Sequence, residues 1–201
     1  ENNAQGKFDM IFTNPPFGAK VEVDAEIAKR YELNSKAPEV LFIEACYNFL
    51  KPGGKMAIVL PDGILGNPNT EEVRLWILKH FKLIASVDLP VETFLPQVGV
   101  QASLLFLQKK TDDEMLVPIE SEDYDVFMAI VEQVGKDRRG VPIYERDEDG
   151  SEILFPHIKR WLAYNEFGRE VVRSRNERVK RLADDLPKVA EAFRKFRFDK
   201  L

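Results

Sequence analysis

The chain is 201 residues long, 44% hydrophobic and 31% charged, with a formal net charge of −5. That balance suits a globular domain with a real core, and neither a membrane-length apolar run nor a basic-apolar signal segment is present. A single cysteine, Cys46, excludes an internal disulfide framework. With only His80 and His157 beside it, it also argues against a zinc site, so a reducing, cytoplasmic setting is expected.

"FDMIFT" (8–13) is short and nearly continuous in apolar residues, the pattern of a strand buried on both faces of a parallel sheet. "PEVLFIEACYNFL" (38–50) spaces Leu41, Phe42, Ala45, Phe49 and Leu50 as a helix does, and Gly53-Gly54 provides its exit. "KMAIVLP" (55–61) reads as a second buried strand. "EEVRLWILKHF" (71–81) reads as a second helix, acidic at its start and basic at its end. Two strands follow, "LIASVDLP" (83–90) and "QASLLFLQK" (101–109), as a hairpin through 91–100 that makes one sheet edge antiparallel. The alternation predicts an α/β doubly wound sheet.

Beyond residue 110 the periodicity predicts a helix over 121–134 and a β-hairpin over 141–155 turning at Asp149-Gly150. From about 170, Val172, Val179, Leu182, Leu186, Val189, Phe193 and Phe196 form a stripe that predicts one or two amphipathic helices, broken or kinked at Pro187. Charge divides the chain in the same places. Residues 1–110 carry a net −1, residues 111–156 a net −10 and residues 157–201 a net +6. Three sections follow: an α/β part (1–110), an acidic helix and β-hairpin as linker or insertion (111–156), and basic C-terminal helices (157–201).

"FTNPPFG" (12–18) breaks the first strand with two prolines, which fix φ and remove backbone donors. The result is a rigid tip at the carboxyl end of a parallel strand, where α/β sheets bind their ligands. Asn14 offers an amide oxygen, Pro15 and Pro16 offer carbonyls, and Phe17 offers a π-face. Two acceptors and a stacking ring suit a planar ring with an exocyclic amine. They can hold the amine hydrogens out of plane and so restore the nitrogen's nucleophilicity without a tuned general base.

This tip resembles the catalytic motif of S-adenosylmethionine-dependent amino-methyltransferases, above all the N6-adenine DNA methyltransferases. "LKPGGKMAIVLPDGIL" (50–65) and "VDLPVETFLPQVGVQASLLFLQKK" (87–110) are similar to later segments of the modification subunits of type I restriction–modification systems. The glycine after Phe17 also suits those subunits. The resemblance covers residues 7–110. It implies that Asn14 and Pro15 accept from the target adenine, that Pro16 stiffens the tip, and that Phe17 and Phe94 stack on the flipped-out base, an ordinary loop ring packed on the core being the other reading of Phe94.

The same resemblance implies S-adenosylmethionine as cofactor. Its main site is expected upstream of residue 1, because the first strand here corresponds to the fourth of the family sheet. The chain therefore reads as the C-terminal half of a methyltransferase domain, a fragment expected to bind the cofactor weakly and not to turn over alone. Implied partners are double-stranded DNA and the specificity and restriction subunits, the latter two through residues 170–197, where Arg173, Arg175, Arg178, Lys180 and Arg181 flank the apolar stripe. Intramolecular packing of that stripe and phosphate contact are the other readings. A protein glutamine or an RNA guanine as substrate, or a non-catalytic assembly or DNA-binding module, are the alternatives for function. Gly53 and Gly54 read as loop formers, Asp62 and Gly63 as a turn near the site, Cys46 as core, and Trp76 and Trp161 as packing residues.

Overall fold

The computed structural model describes residues 5–17 and 23–198; Gly18, part of the expected tip, lies outside the described residues. In chain order the elements are β1 (Phe8–Thr13), α1 (Ala25–Ala28), α2 (Pro38–Phe49), β2 (Leu50–Pro61), α3 (Asp62–Gly66), α4 (Glu71–His80), β3 (Phe81–Leu89) and β4 (Ala102–Lys109). They are followed by α5 (Asp112–Met115), β5 (Phe127–Ile130), β6 (Leu154–Tyr164), β7 (Glu170–Lys180) and α6 (Leu186–Phe198). No helix among the described residues is long and apolar enough to cross a membrane.

The expected α/β sheet is present, in the order β1-β2-β4-β3-β5. β1 runs parallel to β2 and β3 parallel to β5, while β4 is antiparallel to both its neighbours. The antiparallel strand is thus inside the sheet, not at its edge. The crossover through α4 sets β3 down one strand-width beyond β2, and the chain returning from β3 fills the gap as β4. Met56, Ala57 and Ile58 of β2 are buried in succession, as a strand covered on both faces requires.

One face of the sheet packs against α2 and α4 through Val40, Ile43, Ile58, Leu60, Trp76, Ile77, Phe81, Leu105 and Leu107. Cys46 belongs to this core, and burial pushes its thiol up to about 11 from 9.0. The raised value means the native state keeps its proton where the unfolded chain loses it. This contribution to stability is therefore complete below pH 9 and is lost as pH rises towards 11. At pH 8 a thiol reagent is expected to label Cys46 only as fast as the domain opens, and at once in denaturant; rapid labelling of the native chain would contradict this burial.

The other face is covered over β3, β4 and β5 by α6. Val189 joins the cluster of Val87, Leu89 and Val131, and the Phe193 ring stacks on Phe106 with centroids 5.6 Å apart. That layer stops short of β1. Phe8, Met10 and Phe12 therefore stay exposed, Phe12 by 73%, and the expected two-sided burial of this strand is not met.

The segment after residue 110 holds more strand than helix, contrary to the mainly helical extension expected. Residues 121–134 contain no α-helix: Phe127–Ile130 pair in register with Ala85–Asp88 as the last strand of the sheet. The apolar run there is compatible with either period, and the open edge of β3 decides it. The stripe from 172 divides between β7 and α6, so it is not a free helical docking surface. Pro187 stands in the first turn of α6 and starts that helix, because the N–H it lacks has no partner in a first turn. The predicted hairpin over 141–155 is reduced to a bridge between Arg146 and Glu152 around a turn where Gly150 has φ +81°. Residues from Leu154 onward pair with β7 instead.

Candidate active site

β1, β2 and β3 are parallel or equivalent in direction, so their carboxyl ends share one edge of the sheet with the amino end of β4. Asn14 to Phe17 follow β1 at this edge: Asn14 and Pro16 are exposed, Pro15 is buried and Phe17 is half-buried. A buried proline anchors the tip, while the residue before it presents its amide to solvent. Gly53-Gly54 sits at the amino end of β2, the opposite edge. A Cβ on Gly54 would lie 2.8 Å from the Lys51 carbonyl and 3.2 Å from that of Phe8, so close backbone packing explains this glycine.

Phe94 closes the short turn Val91–Thr93 in the connection from β3 to β4, and its ring meets Phe17 with centroids 5.3 Å apart and planes at 86°. Two residues 77 positions apart in sequence are thereby in contact. The arrangement is edge to face, not two parallel plates. A ring inserted between parallel plates needs them about 7 Å apart, two van der Waals spacings, so admission of a base requires one of these rings to turn.

The connection carrying Phe94 is held by residues that the sequence did not single out. Lys136 Nζ donates to the Leu95 carbonyl at 2.9 Å, and Arg138 Nε pairs with Glu92 at 3.0 Å. Gly135 and Gly140 bracket this clamp at φ +73° and +83°. Asp137 shapes its turn by accepting from the Arg139 and Val141 amides, and the Val141 bond above all holds its carboxyl below the usual range. Three cations between two glycines, inside an otherwise acidic section, were the available signal.

Asp62 follows β2 on the same edge and accepts from Ser103 Oγ at 3.0 Å. Burial raises its carboxyl above the ordinary range, against the Ser103 bond that lowers it and with a further push from Asp88. Asp88 in turn accepts from Gln101, 3.4 Å away. His80 is buried against Trp76, its ring stacked at 4.1 Å, and burial lowers its pKa; it belongs to the core and not to this edge. Trp76 packs as expected, whereas Trp161 is 41% exposed on β6.

The family model described as N-6 DNA Methylase matches residues 1–139. The methylase subunit of the type I restriction enzyme EcoEI from Escherichia coli is 32% identical over 102 residues, covering 50% of this chain and 21% of that protein. The EcoKI methylase subunit from Escherichia coli strain K12 is 30% identical over 107 residues, 52% of this chain and 20% of that one. This chain thus spans about a fifth of the length of these curated relatives. Among solved structures, a putative class I S-adenosylmethionine-dependent methyltransferase from Listeria monocytogenes superposes with a TM-score of 0.52 at 27% identity, over 65% of this chain and 38% of that one. The rigid Asn-Pro-Pro-Phe tip at the sheet's carboxyl edge, the interior antiparallel strand and a match over most of the chain agree: the chain belongs to the N-6 DNA methylase family.

Proposed function

We propose that the chain carries the base-presenting half of an N6-adenine DNA methyltransferase belonging to a type I restriction–modification assembly. The observation that carries this reading is the contact of Phe17 with Phe94 beside the exposed amide of Asn14. Asn14 Oδ1 and the Pro15 carbonyl accept the two hydrogens of the adenine amine, which localises the nitrogen lone pair for attack on a methyl group. Pro16 keeps the two acceptors rigid, and Phe17 and Phe94 take the base once it has left the duplex.

S-adenosylmethionine, when bound, supplies a methyl group activated on a sulfonium. The glycine pair at 53–54 lies on the far edge of the sheet from the tip, so it is no part of a cradle for that cofactor. In the whole enzyme, a further apolar surface covers Met10 and Phe12, which are exposed on the face of the sheet beside α6. Specificity and restriction subunits complete the assembly, a reading supported by the relatives being methylase subunits of type I enzymes.

The test expresses the complete reading frame with its neighbouring subunit genes in a host free of adenine methylation, and assays N6-methyladenine in its DNA by mass spectrometry. Methylated guanine in RNA or methylated glutamine in its place would overturn the substrate. For Phe94→Ala, loss of one stacking face is expected to lower kcat/KM for DNA about 10- to 100-fold, in line with roughly 1–3 kcal/mol per stacked base. Steady-state kinetics with Phe94→Trp as the conservative control reads this out, and an unchanged kcat/KM would remove Phe94 from the site.

A further inference from the structure

We infer that the β6–β7 ribbon is an arm that grips duplex DNA, with Lys159, Arg173 and Arg175 laid along the phosphates. This rests on the reading of DNA as substrate and adds the surface that holds it. The two strands pair without interruption from Leu154↔Lys180 to Tyr164↔Glu170. Of their 22 residues, 17 are exposed and none is buried, so neither face of the ribbon is covered by the described residues. An uncovered two-stranded ribbon is marginal in water, and something outside the described residues must stabilise it.

Charge identifies the occupant. Residues 154–180 hold seven Lys and Arg against three Glu, a net +4 within a chain whose total is −5. Lys159 stands directly opposite Arg175, a like-charge pair whose repulsion an anion laid along this face relieves. Arg173 lies on the same face, opposite the exposed Trp161. Glu177 shares this face and is bonded by Arg175 at 3.0 Å. That bond, with the charges of Lys159, Arg175 and His157, holds its carboxyl below the usual range, as a cationic surface does.

Size agrees with charge. Eleven residues extend about 36 Å at roughly 3.3 Å each, close to the ~34 Å turn of B-DNA, and a major groove ~12 Å wide admits a two-stranded ribbon. The base of the arm is fixed to the body, with Arg181 over the Phe155 ring at 3.6 Å and Tyr144 bridged to Leu182. The reverse face, with Ile158, Leu162 and Val172 beside Arg160 and Arg178, is the surface a second protein copy would use.

The experiment measures anisotropy of a labelled duplex of about 30 base pairs, and of its single strand, on the full chain between about 50 and 200 mM salt. For the triple variant K159Q/R173Q/R175Q the slope of log affinity against log salt is expected to become shallower by about 2–3, near 0.9 per phosphate contact, with affinity at least about tenfold weaker. R173Q alone, less at risk of misfolding, should lower it by about one. I158T/L162T/V172T is expected to leave slope and duplex affinity as in wild type. An unchanged slope in the cationic-face variants, equal affinity for single strand and duplex, or no duplex binding by wild type each overturns the arm. So does a dimer by light scattering that only the apolar-face variant dissociates. Asn14→Ala separates this from the methyltransferase reading: it should keep the wild-type salt slope while losing methylation in the complete assembly. Methylation that survives Asn14→Ala sinks that reading and leaves the arm standing, whereas an unchanged slope with Asn14-dependent methylation does the reverse.

Discussion

Asn14→Ala is expected to lower methyl transfer by about 10²–10³-fold, the cost of removing one preorganised hydrogen-bond partner from the reacting group. The physical reason lies in the amine of adenine, whose lone pair is delocalised into the ring and is a poor nucleophile. Alanine leaves one hydrogen without its acceptor and lets the amine relax to planarity. DNA binding and thermal stability should stay near wild type, because Asn14 is exposed. Asn14→Asp keeps an acceptor oxygen at the same reach and should retain more activity than alanine. Single-turnover measurement of methyl incorporation reads the chemical step directly. Wild-type rates in the alanine variant would remove the tip from the mechanism.

Glu122→Ala is expected to be the most destabilising single substitution outside the main core. Lys110, at the end of β4, is 1% exposed, and its ammonium donates to the Leu78 carbonyl at 2.6 Å and pairs with Glu122, itself 9% exposed. Removing the carboxylate leaves a buried cation with one neutral acceptor, which costs about 3–5 kcal/mol. A chain of this size should then melt roughly 6–20 °C lower. The double variant Lys110→Met/Glu122→Leu should recover most of the loss, because an apolar pair of similar volume needs no desolvation. Thermal denaturation followed by circular dichroism tests both. If Glu122→Ala melted as wild type, water would have to reach Lys110. The pair also sets the path of the chain into β5, so the alanine variant should loosen residues 127–130 first, as seen by hydrogen exchange.

The strands β1 to β4 and the helices α2 and α4 were legible because each is a compact apolar pattern of one period, closed by proline, glycine or charge. The tip was legible for the same local reason, since two prolines dictate its stiffness wherever they stand. "SEDYDVFMAIVEQV" was misread because its apolar run fits a helix and a strand alike. In "EVVRSRNERVK" the valines at 172 and 179 suggested a heptad, whereas the deciding signal was the turn Asn165–Gly168, with Gly168 at φ +71° and the Asn165 side chain accepting from Phe167 and Arg169.

By itself, then, the sequence determined an α/β sheet, a rigid amide-bearing tip after its first strand, and a division of charge along the chain. Each of these follows from local backbone restriction, side-chain periodicity or composition. Only the tertiary structure decided that β4 lies inside the sheet, that Phe17 meets Phe94, that Lys136 and Arg138 clamp the β3–β4 connection carrying Phe94, and that residues 154–180 stand out as a ribbon. Those outcomes depend on which hydrogen-bonding edge and which apolar face are left open once the other elements have packed, and no local pattern encodes that competition.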